Sequence, residues 1–443
     1  MTLDASRIAF RPYWWDIDEP LRQTHDDPLP ASSDVVIVGG GFTGMAAALP
    51  LARAGKSVII IEKSTPGYGA STRNGGINSA SIRPSHHDLE RHYGRDFADK
   101  IFLEASAARQ DLEDFCQTEN IDGKFKLSGW FKGAMSARDY DDLAHEADYL
   151  RDTLNIPCYL ISKADQHKEI ATDRFYGGMV EEDVGGFHPS KFFAGFLRVI
   201  TEAGVRIFEQ TAVHDIADHP TSGKIVTTSK GNVHGDTVIV ATNGYTGGRE
   251  HRFSRFLRRR LVPVRSSIIV TEHLGEDRVK ALMPAMRMYG NTAELVTYFR
   301  PTPDGQRILL GARGAEAVPT MKTVHFLRKR LISILPQLTD AQIDYCWTGN
   351  VAFNRQLIPR IFTHDGIHYS SGYAGSGTVW ARWCGKKLAD QILGHSNEPS
   401  ILSGGITSAV PLYDGHPWFM PFVYSWYGLK DQINEWRHGL SNY

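Results

Sequence analysis

The chain has few of the features that mark membrane, secreted or metal-binding proteins. Its 443 residues include only four cysteines, Cys116, Cys158, Cys346 and Cys384, and none has C-x-x-C spacing. That pattern provides no disulfide or zinc framework and is typical of reduced thiols in the cytoplasm. The longest apolar runs, such as VIII at 58–61, are far shorter than the ~18 residues of a membrane helix, and the first residues lack a signal-peptide core. We therefore expect a cytoplasmic protein without a membrane span.

Other absences exclude further classes of function. The net charge is −1, so no overall field attracts nucleic acid, and we expect no nucleic-acid partner. The arginines of the run 249–260 are expected to form a solvated or partner-facing helix. His86, His87 and Asp88 lack metal-ligand spacing, and there is no G-x-S-x-G motif. We therefore expect neither a metal site nor a serine hydrolase.

Residues 34–63 have the pattern of one βαβ unit. A strand is predicted over 34–40 (DVVIVGG), a helix over 42–55 and a second strand over 57–63 (SVIIIEK). The span is about the 30 residues of the smallest parallel crossover unit. Pro50 lies inside the predicted helix, where we expect a kink because proline removes a backbone hydrogen bond.

The turn of this unit carries a G-x-G-x-x-G motif, formed by Gly39, Gly41 and Gly44. In a dinucleotide site the first glycine permits a tight turn, the second lets the backbone approach a pyrophosphate, and the third lets the helix pack on the strand. Glu62 ends the second strand, where a carboxylate can accept hydrogen bonds from ribose hydroxyls. The alternative is a structural turn, but strand, glycines, helix and acid in one register favour a dinucleotide.

Two further glycine-rich segments favour FAD over a nicotinamide cofactor. The first is GYGASTRNGGINSAS at 67–81, and the second is GYAGSG at 372–377, between a predicted strand and a predicted helix. A flavin offers backbone amides a pyrophosphate, a ribityl chain and the N1/O2 edge of its ring. A helix N-terminus after residue 375 suits that edge, because reduction places negative charge there.

The remaining pattern predicts a second, mainly antiparallel sheet. Alternating runs occur at 124–136, 266–274 and 295–314, the last around a Pro303-Asp304-Gly305 turn. The predicted fold class is α/β, or α+β overall, with a Rossmann-like FAD-binding domain and an antiparallel substrate domain. The FAD-binding domain is predicted from the segments 1–112, 185–248 and 340–443, and the substrate domain from 113–184 and 249–339.

Four stretches carry a resemblance to a known family. They are VVIVGGGFTG, GASTRNGG, VIVATNGYT, and FNRQLIPRI followed by GYAGSGT, and together they extend from residue 35 to 378. The chain resembles the FAD-dependent D-amino-acid oxidase superfamily, which includes glycine and sarcosine oxidases, and within it the gamma-glutamylputrescine oxidoreductase type of amine oxidase. By this resemblance, the residues expected at FAD are Gly39, Gly41, Phe42, Thr43, Gly44, Glu62, Lys63, Ser71, Arg73, Asn74, Gly75, Gly76, Val213, Thr242, Asn243, Gly372, Gly375, Ser376, Gly377 and Thr378.

The resemblance implies oxidation of the C–N bond of an amine or N-substituted amino acid. Hydride leaves the carbon next to nitrogen for flavin N5, and the imine hydrolyses to a carbonyl compound. Two alternatives stay open: a flavin dehydrogenase of a 2-hydroxy acid, and a flavoprotein subunit of an electron-transferring complex. FAD is expected to be non-covalent, because Trp347, not Cys346, matches the position of the attaching cysteine in sarcosine oxidase. The lysine that activates oxygen in that enzyme has no counterpart in QRILLGARG, so the acceptor is O2 or another electron acceptor.

No acid–base residue stands out, and the substrate-pocket candidates are Tyr298, Arg300, Arg313, Trp380 and Asn354. Tyr298 and Arg300 alternate along one strand and so share a face, which suits an amine at one end and a carboxylate at the other. The alternative to a substrate-binding role for Tyr298 and Arg300 is a cross-strand pair at the protein surface. For Trp380 the alternative is packing in the hydrophobic core.

Overall fold

The computed structural model describes residues 3–17, 27–247, 251–314, 316–395 and 399–437. The strands, numbered in chain order, are β1 Ser32–Val38, β2 Val58–Ile61, β3 Lys126–Leu127, β4 Trp130–Gly133, β5 Cys158–Ile161, β6 Gly178–Glu181, β7 Gly185–Gly186, β8 Arg206–Phe208, β9 Val213–Asp218, β10 Lys224–Thr228, β11 Gly231–Val240, β12 Val262–Thr271, β13 Met288–Asn291, β14 Thr297–Pro301, β15 Ile308–Arg313, β16 Ile343–Phe353, β17 Arg360–His364 and β18 Ile367–Ser371. The α-helices are α1 Trp14–Ile17, α2 Phe42–Arg53, α3 His86–Tyr93, α4 Arg95–Thr118, α5 Ala137–Asp152, α6 Pro189–Glu202, α7 Arg255–Arg258, α8 Glu276–Leu282, α9 Met321–Ile334, α10 Gly377–Leu393 and α11 Met420–Arg437. Short 3₁₀ turns cover Ala5–Arg7, Gln166–Lys168, Asn243–Tyr245, Arg252–Ser254 and Pro336–Leu338.

The first sheet has the strand order β17-β18-β11-β1-β2-β8, and β10 also pairs with β11 while β9 pairs with β10. β18, β11, β1, β2 and β8 run parallel, and the predicted βαβ unit lies at the centre. Both faces of β1 are covered: Ile37 packs against helices, whereas Val36 and Val38 pack into a separate cluster on the other side. Burial on both faces explains why this strand is a continuous apolar run and not an alternating one.

Helix α2 is continuous through Pro50, so the predicted kink does not interrupt it. The carbonyl of Pro50 still accepts a hydrogen bond from the Ala54 amide at 3.0 Å. On the same side of the sheet, α10 packs tightly on α2, because Gly385 has no side chain: a Cβ there would lie 2.5 Å from the Thr43 carbonyl oxygen. This contact brings the N-termini of two helices to one edge of the parallel sheet.

The second sheet has the strand order β16-β12-β15-β14-β13-β4-β6-β5 and is antiparallel except where β13 pairs with β4. The predicted hairpin around Pro303-Asp304-Gly305 is confirmed as β14 and β15. Helices α8 and α9 cover the far face of this sheet around a separate core. The edge strand β16 lies within the segment 340–443, so this sheet extends past the proposed boundary at 340; the division into domains remains a prediction.

The last helix, α11, packs beside the second sheet. The Asp431 carboxylate accepts hydrogen bonds from the amides of Glu294 and Leu295, at 2.9 and 3.1 Å. Among the described helices, none is long and apolar enough to cross a lipid bilayer.

Candidate active site

The first glycine loop leaves open space at the N-terminus of α2. Gly39 has φ +112°, a conformation that residues with a side chain rarely adopt. Gly41 is the N-cap of α2, and a Cβ there would lie 3.0 Å from Ser71 Oγ. A Cβ on Gly44 would overlap the Gly39 carbonyl oxygen, so only glycine lets α2 pack this closely. Helix amides and the positive end of the helix dipole therefore face the space, as an anion site requires.

Glu62 closes one side of this loop from the end of β2. Its two carboxylate oxygens accept backbone hydrogen bonds from Gly40 and Ser64, each at 2.8 Å. Burial raises the pKa of the Glu62 carboxyl, and these backbone hydrogen bonds oppose that shift. Each oxygen keeps a further lone pair, so the carboxylate can still accept hydroxyl donors from a ligand.

The second glycine segment is held in place by three indole N–H groups. Trp14 Nε1 donates to the Asn74 carbonyl at 2.9 Å, Trp15 Nε1 to Thr72 Oγ1 at 2.9 Å, and Trp347 Nε1 to the Arg73 carbonyl at 2.8 Å. The Arg73 guanidinium lies 4.5 Å from the ring centres of both Trp15 and Tyr68. The N-terminal aromatic segment thus packs directly behind this loop.

The late glycine loop lies opposite, and α10 begins there at Gly377. Gly375 has φ +115°, and the N-cap residue Ser376 makes no capping hydrogen bond with its side chain. Tyr373 joins this loop to the first one, because its hydroxyl lies 2.8 Å from Thr43 Oγ1. The N-termini of α2 and α10 therefore face the same space.

That space is a cavity of about 1030 Å³ between the two sheets. Seventeen of the twenty residues expected at FAD line it: Gly39, Gly41, Phe42, Thr43, Glu62, Lys63, Ser71, Arg73, Asn74, Gly75, Val213, Thr242, Asn243, Gly375, Ser376, Gly377 and Thr378. The other three, Gly44, Gly76 and Gly372, lie just behind the wall. Glycine-cradled amides, two helix N-termini and a carboxylate at a strand end form a donor and acceptor set that fits FAD.

Two of the substrate-pocket candidates, Tyr298 and Arg313, line the cavity. Tyr298 lies over Gly75, where a Cβ would be 2.7 Å from its ring, and its hydroxyl lies 3.4 Å from Ser266 Oγ. Burial raises the pKa of the Tyr298 phenol, so the group stays protonated at neutral pH. The Arg313 guanidinium lies 4.4 Å from the Phe353 ring centre.

Arg83 also lines the cavity, and the sequence analysis did not select it. Its guanidinium lies 5.9 Å from the Phe353 ring centre, and Nε donates to the Ala374 carbonyl at 3.1 Å. Burial, and then repulsion from Arg313, lower the pKa of Arg83 to about 9; burial also lowers the pKa of Arg313. Neither guanidinium forms an ion pair with a carboxylate of a described residue. An anion bound between the two guanidiniums would offset both the burial of their charges and the repulsion between them.

Arg300, Asn354 and Trp380 do not line the cavity. Arg300 points toward the second glycine segment, as Tyr298 does, but its guanidinium donates to the carbonyls of Gly76 and Phe187. Asn354 donates to the Ile358 carbonyl at 2.7 Å inside the core. Trp380 is fully buried, and its Nε1 lies 3.4 Å from the Ser81 carbonyl oxygen. These three geometries are those of structural residues.

Two arginines of the run, Arg258 and Arg260, have structural partners, and Arg249 lies outside the described residues. Arg258 Nε lies 3.1 Å from the Asp414 carboxylate, and Arg260 donates to the Thr407 carbonyl at 3.0 Å. Cys346 is buried in the core of the second sheet, away from the cavity, and burial raises the pKa of its thiol to about 12. Within the described ranges, no three His, Cys, Asp or Glu side chains are placed to hold a metal ion.

A family model described as "DAO: FAD dependent oxidoreductase" matches residues 34–391. The chain is 29% identical to gamma-glutamylputrescine oxidoreductase of Escherichia coli strain K12, over 90% of this chain and 93% of that protein. It is 28% identical to a probable oxidoreductase, OrdL, of Rhizobium meliloti strain 1021, over 95% of this chain and 97% of that protein. The fold is similar to the crystal structure of glycine oxidase from Geobacillus kaustophilus, with a TM-score of 0.69, 21% identity, and coverage of 87% of this chain and 99% of that one.

Proposed function

The chain belongs to the family of FAD-dependent oxidoreductases, and we propose that it oxidises the C–N bond of an amine or N-substituted amino acid that also carries a carboxylate. The observation that carries the proposal is the pair Arg83 and Arg313, two guanidiniums without a carboxylate partner that approach the same Phe353 ring in the cavity. Both relatives named above are oxidoreductases, and the name of the Escherichia coli protein specifies an amine conjugate of glutamate.

We propose that FAD is bound non-covalently by the loops at the N-termini of α2 and α10 and by Glu62. When bound, FAD supplies the acceptor for the hydride that leaves the carbon next to nitrogen. The amides of the first glycine loop would hold the pyrophosphate, and those at 375–378 would lie at the pyrimidine edge. The cysteines of the described structure are free and buried, which supports a cytoplasmic location.

Residues of the second sheet, of α11 and of the segment before α3 then position the substrate. Arg83 and Arg313 bind the carboxylate by charge-assisted hydrogen bonds, which fixes the orientation of the amine. The Tyr298 ring and the aromatic residues Tyr424 and Tyr427 of α11 border the same space and limit the entry of water. The substrate nitrogen must be neutral for its lone pair to support hydride departure, and hydrolysis of the imine yields the carbonyl compound.

Anaerobic mixing of the FAD-containing protein with matched amines tests this proposal. We expect carboxylate-bearing amines to bleach the absorbance near 450 nm, and their carboxamide counterparts to require about 10- to 100-fold higher concentration, since a charge-assisted hydrogen bond contributes about 1.5–3 kcal/mol. Arg313→Met should remove this preference, whereas Arg91→Met, at an exposed position of α3, should keep it.

Two results would contradict the proposal. Bleaching by 2-hydroxy acids but by no amine would assign the chain to the alternative dehydrogenase function. An unbleached flavin with both classes, together with a stably co-purifying protein, would favour an electron-transferring subunit.

Admission of air after bleaching then tests whether O2 is the acceptor, because only an oxidase regains its yellow colour rapidly.

A further inference from the structure

The cavity extends beyond Tyr298 into an inner chamber that the proposed reaction does not use. We define this chamber by Lys132 on β4, Glu146 on α5 and Glu181 on β6, all of which line the same cavity. Phe102 of α4 and Leu143 of α5 add apolar walls. The chamber therefore lies between two helices and the far end of the second sheet.

The sheet register connects the chamber to the position of Tyr298. Lys132 pairs with Gly290, and Gly290 pairs with Tyr298 on the next strand. Paired residues project to the same face of a sheet, so Lys132 and Tyr298 face the same side, two strands apart, or about 10 Å. Gly290 has no side chain between them, and the Trp130 ring covers its backbone. The Trp130 ring therefore lies over the row between the two side chains, and Trp130, Lys132 and Tyr298 all line the one cavity.

Two of the chamber's charged groups form ion pairs, and one carboxylate remains outside these pairs. Arg109 is bound to Asp183 through two of its nitrogens, and Lys132 Nζ lies 3.5 Å from Glu146 Oε2. Glu181 forms neither a hydrogen bond nor an ion pair through its side chain with any other described residue. Burial is the main cause that raises the pKa of Glu181, with Arg109 and Lys132 opposing it. Glu181 thus has two cations nearby but no direct ion-pair partner, and a cation bound in the chamber could supply one.

We infer that the inner chamber binds a second, positively charged group of the substrate, with Glu181 as its ion-pair partner. This inference rests on the proposed function for the position of the substrate's other end, at Arg83 and Arg313. The strands of Arg313 and Glu181 are separated by three others, so their backbones lie about 19 Å apart, and long side chains reach inward from both. The substrate class is therefore an extended amine with an anion at one end and a cation at the other, longer than a simple two-carbon amino acid.

Binding of two isosteric carboxylates to the FAD-containing protein tests this inference without turnover. The probes are 6-aminohexanoate and heptanoate, which differ only by an ammonium in place of a terminal methyl group. Dissociation constants are measured from the shift in Tm after the flavin has been reduced with dithionite under anaerobic conditions, because a reduced flavin cannot accept hydride from 6-aminohexanoate. We expect 6-aminohexanoate to bind at least about tenfold more tightly, a difference of 1.4 kcal/mol or more. Equal binding, or tighter binding of heptanoate, would overturn the inference.

Glu181→Gln identifies the partner of the ammonium group. It should reduce the ratio of the two dissociation constants to near one while leaving heptanoate binding little changed. Glu182→Gln, at the exposed neighbouring residue, is the matched control and should keep the wild-type ratio. An unchanged ratio in Glu181→Gln would overturn the inference, and the wild-type comparison decides it even if that variant fails to fold.

Failure of the inference is distinguishable from failure of the proposed function. If amines bleach the flavin but the two probes bind equally, the proposed function stands and the inner chamber has no cation subsite. If 6-aminohexanoate binds more tightly through Glu181 while no amine bleaches the flavin, the subsite stands and amine oxidation is wrong.

Discussion

At the scale of single residues, the close approach of Gly44 to Gly39 decides whether the cofactor loop can form. Only a hydrogen at position 44 lets α2 begin directly beneath the end of β1. Gly428 in α11, by contrast, has room for a side chain. A Cβ there would lie 4.0 Å from its nearest neighbour, Leu295. The two positions therefore separate the effect of packing from the effect of helix propensity.

Gly44→Ala should abolish FAD binding and lower the free energy of unfolding by several kcal/mol, because the new methyl group overlaps backbone. Gly428→Ala should keep full FAD content and raise the free energy of unfolding by up to about 1 kcal/mol, since alanine is the better helix former. Urea unfolding and the flavin-to-protein absorbance ratio measure both effects. Normal FAD content in Gly44→Ala would show that the loop tolerates a side chain and that α2 does not pack this closely on Gly39.

At the scale of elements, the N-terminal aromatic segment and β16 support the second glycine segment from behind. The indole N–H groups of Trp14 and Trp347 donate to its backbone carbonyls and to nothing in the cavity itself. We expect these contacts to fix the loop in the conformation that binds the cofactor, so that their loss is seen first in FAD affinity.

Trp347→Phe retains a buried ring but removes the donor to the Arg73 carbonyl. The buried carbonyl left without a partner should weaken FAD binding by about tenfold, which corresponds to the 1–3 kcal/mol cost of an unsatisfied buried group. Trp418→Phe removes a similar indole hydrogen bond, to the Leu412 carbonyl, at an exposed position and serves as the control. Equal FAD dissociation constants in the two variants would contradict a positioning role for Trp347.

Helix α6 begins with a histidine cap whose protonation opposes folding. His188 Nδ1 accepts the Lys191 amide at 3.3 Å, and Nε2 is buried without a hydrogen-bond partner. Burial, followed by repulsion from Lys191 and Arg300, lowers the pKa of His188 to about 4, whereas Asp304 weakly opposes the shift. The folded state therefore binds fewer protons than the unfolded state between pH 6.5 and 4. The stabilisation is complete above pH 6.5 and is lost as the pH falls through that window.

Between pH 7.5 and 4.5, the wild-type protein should lose about 2 to 3 kcal/mol more free energy of unfolding than His188→Asn. Asparagine can cap the helix but does not titrate, so the difference isolates the imidazole. Urea unfolding curves at the two pH values measure it. Parallel losses in both proteins would show that protonation of His188 does not oppose folding.

At the scale of the whole molecule, features built from neighbouring residues could be predicted from the sequence, whereas contacts between residues distant in sequence could not. The βαβ unit, its glycines and Glu62 follow from about 30 consecutive residues, and the structure places them as the spacing predicts. Nothing in the sequence around Arg83 indicated a binding residue. Its place in the cavity depends on its position near Phe353, which lies 270 residues further along the chain. The alternation of Tyr298 and Arg300 correctly indicated that both residues share one strand face. It could not show that the Arg300 guanidinium donates its hydrogen bonds to backbone carbonyls and not to a substrate.

The inner chamber illustrates the same limit. Lys132 and Glu181 are brought together by the antiparallel pairing of β4 with β6, and Glu146 by the packing of α5. Each residue alone reads as an ordinary surface charge, since its burial depends on elements that are distant in sequence. Periodicity predicts which face a residue occupies, whereas only the assembled sheets show which charges remain without a partner.

The central claim is that a bound flavin shares its cavity with an anion site made by Arg83 and Arg313. Titration of the FAD-containing protein with benzoate, a carboxylate that cannot be oxidised here, tests it most directly. The account predicts a saturable change in the flavin absorbance near 450 nm that Arg313→Met weakens by at least about tenfold and Arg91→Met does not. A spectrum insensitive to benzoate, or equal dissociation constants in all three proteins, would contradict it.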